Sequence, residues 1–240
     1  MEFRRWDHPQ DYAFTQHLCA AQWAWEFLRR NPLYQAEWVA FDAVWRALET
    51  QYGAPPDRDF CAWKLDPRAW VRAADCPEGD CRVDQDKVLI ECALGARWGF
   101  YKFPPDPSDD DPVGEGRLVW RDVETEARIL GLDDTQWLGG DAAWVAIGFD
   151  LSLPLRDQIE RAKRALQLLQ RRRRQSGDVP AFSIATQRDR LRMSLRLLDA
   201  SAAGAPEAAL MSISSEWRDL LAKASVMRDG GYRQLTTWPD

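Results

Sequence analysis

Residues 154–175 read P-L-R-D-Q-I-E-R-A-K-R-A-L-Q-L-L-Q-R-R-R-R-Q, and no other stretch limits so strongly what this chain can fold into. Leu155, Ile159, Ala162, Leu166 and Leu169 recur at steps of four, three, four and three, which places them on one stripe of an α-helix. Pro154 suits the first turn, where a backbone N–H would lack a partner in any case. The Gln, Arg, Lys, Ala and Leu around it are good helix formers. Arg171, Arg172, Arg173 and Arg174 close the stretch and point around the whole circumference of the helix. One or two cations satisfy a helix C-terminus, so four ask for a further role.

The charge of the chain changes sign at this helix. Residues 1–155 carry 16 Lys and Arg against 28 Asp and Glu, a net of −12, whereas 156–240 carry 16 against 10, a net of +6. The total of −6 alone argues against nucleic acid, and the basic second part argues for it. A chain of 240 residues holds one large domain or two modest ones. The composition favours two: 1–150, an acidic, Trp-rich α+β domain for oligomerisation or regulation, and 151–240, a basic helical DNA-binding domain. The start, M-E-F-R-R-W-D-H-P, has no apolar leader, and no run of about 18 apolar residues follows. We therefore expect no membrane partner, a cytoplasmic location, and five cysteines held as reduced thiols.

Within the acidic part, Leu18, Ala21, Trp25 and Leu28 recur at helical spacing until Arg29-Arg30-Asn31-Pro32 breaks the pattern. Trp38, Phe41, Val44, Trp45 and Leu48 mark a second helix that ends near Gly53, so the two form a helical hairpin. Trp23, Trp25, Trp38 and Trp45 read as core, with a partner groove or subunit interface as the alternative. The segment 66–71 fits a short helix. Cys76 and Cys81 approach zinc-knuckle spacing, but Cys61 and Cys92 have no close mate and no His lies near, so no metal is expected. Residues 87–103 read as a β-hairpin turning at Gly95-Ala96. The proline-rich acidic stretch 104–112 reads as a solvated, disordered loop, and Asp109-Asp110-Asp111 as part of it and not as a metal site. A short strand is expected at 118–120, a helix at 123–130 and a strand at 142–151. The fold class is α+β: a helical hairpin and small sheet, followed by an all-helical part.

In the basic part, Thr186 with Asp189 approximates a capping box for a helix carrying Leu191, Leu195 and Leu198. Arg188, Arg192 and Arg196 form a ridge at i, i+4 with nothing acidic paired along it. Such a ridge is either a solvated face or, with Arg171–Arg174, an anion-binding surface. A short helix at 206–211 and another at 216–227, capped by Ser215 and stopped at Gly230-Gly231, complete a pattern compatible with helix-turn-helix. Arg218, Lys223 and Arg228 lie in or just beyond the candidate recognition helix, and Trp217 reads as its core anchor. Arg233 follows as a further candidate contact.

Several segments resemble a known family. Trp25-Glu26-Phe27-Leu28-Arg29-Arg30-Asn31-Pro32 is similar to a W-E-F/Y-L-R-R-N-P motif at the front of a group of bacterial regulators. The segments D-L-S-L-P-L-R-D-Q-I-E-R-A-K-R-A-L-Q-L-L-Q (150–170), L-R-M-S-L-R-L-L-D-A (191–200), A-G-A (203–205) and G-G-Y-R-Q-L (230–235) resemble the RovC-like DNA-binding domain. The resemblance implies a hexameric activator of type VI secretion genes that binds promoter DNA through its C-terminal part, with RNA polymerase as a further partner. This chain departs from the pattern in its last helix, which carries only Arg218, Lys223 and Arg228 where relatives have a run of Arg.

Two classes of function stand. The first is a double-stranded-DNA-binding transcriptional regulator, acting as a homo-oligomer without cofactor. Arginines supply phosphate affinity and a helix in the major groove supplies specificity. The second is an interaction or assembly factor of a mobile element with non-specific DNA affinity only. An enzyme is not expected: the chain has only His8 and His17, and it lacks a phosphate loop or nucleophile elbow.

Overall fold

The computed structural model describes residues 4–76, 81–101, 103–123, 145–178 and 182–240. The chain divides into two compact units, one made of 1–123 together with 183–240, the other of 124–182. A boundary at 150 therefore does not coincide with the division the contacts make, because the last 58 residues pack with the first 123.

In the larger unit a 3-10 segment, Pro9–His17, precedes helix α1, Ala20–Leu28. The backbone turns extended at Leu18, and Cys19 caps α1 with the Gln22 side chain reaching back to its N–H at 3.0 Å. Trp23, Trp25, Phe27 and Leu28 are buried, so α1 is the central rod of the core and not one side of an amphipathic pair. Asn31 then caps α2, Pro32–Tyr52, by accepting from the N–H groups of Leu33 and Tyr34 at 2.8 and 3.1 Å. Pro32 sits at the first helical position, where its missing N–H costs nothing. Helix α3, Phe60–Trp63, follows a turn.

A three-stranded antiparallel sheet comes next, with order β1-β3-β2: Trp70–Arg72, Lys87–Leu89 and Arg82–Asp84. Trp70 pairs with Leu89 and Val71 with Val88. The short helix expected at 66–71 is replaced by a 3-10 turn, Pro67–Ala69, and strand β1.

The expected hairpin over 87–103 is corrected after Leu89, where helix α4, Ile90–Trp98, begins. Glu91, Cys92, Gly95, Ala96 and Trp98 are buried, a helical and not an alternating pattern. Gly95 and Ala96 lack bulk and let α4 sit close to its neighbours, and the turn comes at Gly99, with φ of 87°. The expectation of unpaired thiols is also corrected, since Cys81 and Cys92 form a disulfide. The register brings them together: β3 feeds Cys92 into the first turn of α4, while the Leu89 N–H donates to the Cys81 carbonyl at 3.0 Å.

The acidic stretch 104–112 is another correction. It is an ordered strap on α1 and α2. Pro104, Pro105, Pro107 and Pro112 are buried. Its carbonyls accept from Trp38 Nε1, Tyr34 Oη, Arg29 Nε and Trp25 Nε1, with the Tyr34 hydroxyl donating to Pro105 O at 2.6 Å. Of the strand expected at 118–120 only an isolated bridge, Phe100 to Trp120, forms.

Helices α6, Ile184–Ala202, α7, Glu207–Ile213, and α8, Trp217–Val226, continue the larger unit. The cap of α6 is Ser183, with Thr186 at the third helical position, three residues before the expected pairing. A π-type turn, Met227–Gly231, leads to the short helix α9, Tyr232–Leu235. The chain thus resumes after the glycines and buries Tyr232 and Leu235 against the α1 side of the core. Trp217 is only half-buried, and Leu220 and Ala224 anchor α8 instead.

In the smaller unit, α5 spans Leu155–Ser176 and ends at Gly177, whose φ of 81° gives the left-handed C-cap. Pro154 is its N-cap. Residues 145–150 have no regular secondary structure where a strand was expected. The helix expected at 123–130 and the start of that strand, 142–144, lie outside the described residues. The fold is α+β, with a small antiparallel sheet and a helical C-terminal part.

Candidate nucleic-acid interface

Among the described residues, helix α5 is the basic element with most of its cations outside carboxylate pairs. It buries no residue, and Gln158 fixes its start by donating to the carbonyls of Asp150, Leu153 and Pro154 while accepting from the Asp150 N–H at 2.9 Å. Ser152 hydrogen-bonds Asp150 and holds its carboxyl below the usual range. Arg171, Arg172 and Arg174 are exposed and, among the described residues, pair with no carboxylate. Arg173 is half-buried and lies beside Leu166, Leu169 and Phe149 in a shallow groove. Sequence reasoning passed over four more cations of this helix, Arg156, Arg161, Lys163 and Arg164, all exposed and without an acidic partner among the described residues. The signal was present: Arg161, Arg164 and Arg171 recur at three and seven, on the side opposite the apolar stripe.

The ridge on α6 is placed differently. Arg192 donates from Nε to Thr15 Oγ1 at 2.9 Å and pairs with Asp189 at 3.2 Å, so an acid does sit on the ridge. Arg196 donates to the Trp6 carbonyl from Nε and Nη2. Arg188 is half-buried, its Nε without a partner. Arg192 and Arg196 thus tie α6 to the N-terminal residues and line a small cavity of about 350 Å³ with Gln10 and Gln16.

Arg218 and Lys223 of α8 and Arg228 just beyond it each have an acid beside them. Arg218 pairs with Glu207 and lies over the Trp217 ring. Lys223 pairs with Asp219 at 2.7 Å. Arg228 pairs with Asp229 at 2.7 Å, and that hydrogen bond raises its pKa. Arg233 donates to the Arg97 carbonyl.

Segments 25–32 and 191–200 meet in one buried cluster. Arg30 grips Asp199 through Nε and Nη2, at 2.7 and 2.9 Å, and Glu26 through Nη1 at 2.6 Å. The Tyr12 hydroxyl donates to Asp199 at 2.6 Å. Arg29 bridges Glu26 to the proline strap. Glu26, Arg30 and Asp199 are at most 7 % exposed, which rules them out as DNA contacts. Burial opposes the Arg30 charge, but Asp199 and Glu26 outweigh it and raise its pKa. Burial, reinforced by Asp199, raises that of Tyr12. Asn31 adds donations to Arg228 O and Asp229, linking α2 to the turn after α8.

Residues 5–60 match the family model of a proteobacterial transcriptional regulator-like domain. This segment holds the W-E-F-L-R-R-N-P motif, and the match supports a bacterial regulator in preference to an enzyme. No curated protein and no solved structure matches the chain. Among the described residues no helix is long and apolar enough to cross a membrane, and no group of three or more His, Cys, Asp or Glu is placed to hold a metal ion.

Proposed function

We infer that the protein is a DNA-binding transcriptional regulator whose main phosphate-binding element is α5. The observation that carries this reading is the set of exposed α5 cations without carboxylate partners among the described residues, set beside the regulator-like segment at 5–60. A 22-residue helix is roughly 33 Å long, close to one turn of B-DNA. Exposed guanidiniums along it release counterions from the phosphate backbone, which gives affinity and a steep salt dependence without sequence information. Specificity belongs to a helix in the major groove, and α8 with Arg218, Lys223 and Arg228 is the candidate in a helix-turn-helix arrangement with α7. The segments that resemble the RovC-like domain extend the reading to a homo-hexameric activator of type VI secretion genes that engages RNA polymerase.

One observation favours the second reading, an assembly factor with non-specific DNA affinity. Glu207, Asp219 and Asp229 neutralise the three α8 cations, so base contact by this helix requires those pairs to exchange. Titration of labelled promoter and random duplexes at physiological salt separates the two. A specific regulator prefers its promoter by a factor of about 10³ or more, an assembly factor binds both alike, and absence of binding to either removes both.

A further inference from the structure

A cavity of about 850 Å³ lies in the larger unit, between α2, α4 and β1, remote in sequence from the arginines of α5. We propose that it binds a small amphipathic monocarboxylate, a hydrocarbon body with one anionic head. The size falls in the range of ligand pockets, roughly 300–1,000 Å³. Its floor is apolar: Phe41 and Val44 of α2, Val71 of β1, Ile90 and Leu94 of α4. These side chains are only half-buried, so this wall of the unit retains apolar surface that an occupant can cover.

The charge at the rim selects the head group. Arg68 is held by Asp66 at 2.6 Å, Asp75 by Arg72 at 2.8 Å, and Arg97 by Glu37 at 2.7 Å. Glu37 is engaged on both oxygens, because the Trp98 Nε1–H donates to the second at 2.9 Å. Arg233 completes the rim and has no carboxylate partner among the described residues. Its guanidinium is pre-positioned: one N–H donates to the Arg97 carbonyl, and the stem lies against Gly99, where a Cβ would come within 3.0 Å of Arg233 Nε. The rim therefore carries one uncompensated positive charge, set at the edge of an apolar floor. A neutral hydrocarbon leaves that charge unused, and a dianion meets Glu37 and Asp75. A single carboxylate matches it.

The test is calorimetric titration of the full-length protein with octanoate, hexanoate and 1-octanol. Octanoate should bind at one site. Hexanoate should be weaker by roughly 15-fold, at about fourfold per buried methylene. The alcohol should be weaker by roughly tenfold, the worth of a hydrogen bond to a charged group. Arg233→Met should erase the preference for octanoate over octanol and leave octanol binding intact. Ala40→Trp, at an exposed position of the lining, and Ala93→Trp should abolish both, with melting curves unchanged for at least one of the two. No saturable binding of octanoate to the wild type overturns the proposal, as does an octanoate preference that survives Arg233→Met. Loss of oligomer mass on Ala40→Trp without octanoate binding to the wild type overturns it in favour of a second copy of the chain.

Discussion

Arg30 holds two carboxylates inside the protein, and burial decides what each partner is worth. Removing one member of a buried ion pair leaves an uncompensated charge and costs about 3–5 kcal/mol. Among the described residues, Arg30→Met leaves Glu26 with Arg29 alone and Asp199 with the Tyr12 hydroxyl alone, without its buried countercharge, and should lower the unfolding free energy by about that amount in a urea titration; a loss under about 1 kcal/mol would show the cluster to be dispensable. Tyr12 adds a pH term. Burial raises the pKa of Tyr12, Tyr34 and Tyr232 above the ordinary tyrosine value. A raised folded-state pKa contributes stability that is complete below the unfolded value, about 10, and is lost as pH rises above it. The urea midpoint should therefore fall steeply above about pH 10, and Tyr12→Phe should flatten that fall. At α5, Arg171→Ala with Arg172→Ala should weaken binding to promoter and random DNA equally. Each lost phosphate contact should also reduce the salt slope by about one unit. Unequal loss on the two DNAs would make these arginines base readers.

At the scale of elements, what the sequence betrayed depended on how local the cause was. The α5 helix is legible because its stripe and its proline lie within the stretch itself and its terminal glycine, Gly177, lies two residues beyond it. The hairpin expected at 87–103 gives way to a helix because V-L-I-E-C-A-L is compatible with strand or helix, and the burial pattern of the folded unit, with Cys92 and Ala96 both buried, belongs to the helix. The strap at 104–112 looked disordered because its acidic side chains are visible in the sequence and its carbonyl acceptors are not. Tyr34, Trp38 and Arg29, up to 78 residues away, supply the donors that order it. The same limit applies to the site. The arginine run was plain, but the pairing of Arg218 with Glu207 needs α7 and α8 side by side. If α8 reads bases, Arg218→Ala should cost about 1–3 kcal/mol on the promoter and nothing on random DNA. Glu207→Ala, which frees the guanidinium, should tighten promoter binding. Equal loss on both DNAs for Arg218→Ala removes α8 from the groove.

For the whole molecule, the arrangement of the chain sets which pieces can stand alone. Asp199 of α6 is locked to Arg30 and Tyr12 at the other end of the sequence. The Tyr232 hydroxyl donates to Trp98 O at 3.0 Å, and Asp240 accepts from the Ala20 N–H at 2.8 Å. A fragment of residues 151–240 thus loses the partners of its buried polar groups and the core residues of α1 together. Each stranded buried polar group costs about 1–3 kcal/mol, against a total stability of about 5–15 kcal/mol. This fragment should give no cooperative unfolding transition by circular dichroism, and should not retain the salt-dependent DNA affinity of the full chain beyond what the free basic helix provides. Within the larger unit the acidic N-terminal residues and residues 183–240 fold together, and the proposed DNA affinity rests on the exposed cations of α5. If several copies assemble, several α5 helices face one duplex, and avidity raises the affinity by orders of magnitude over one copy. The exposed stripe of α5, with Ile159 at 51 % and Leu166 at 41 %, is the surface such an assembly would cover. Leu166→Asp, which puts a charge into that stripe, should reduce the particle mass seen by light scattering and weaken DNA binding without shifting the melting curve of the larger unit. A wild type that scatters as a monomer at micromolar concentration would sink the assembly, and with it the multivalent account of binding.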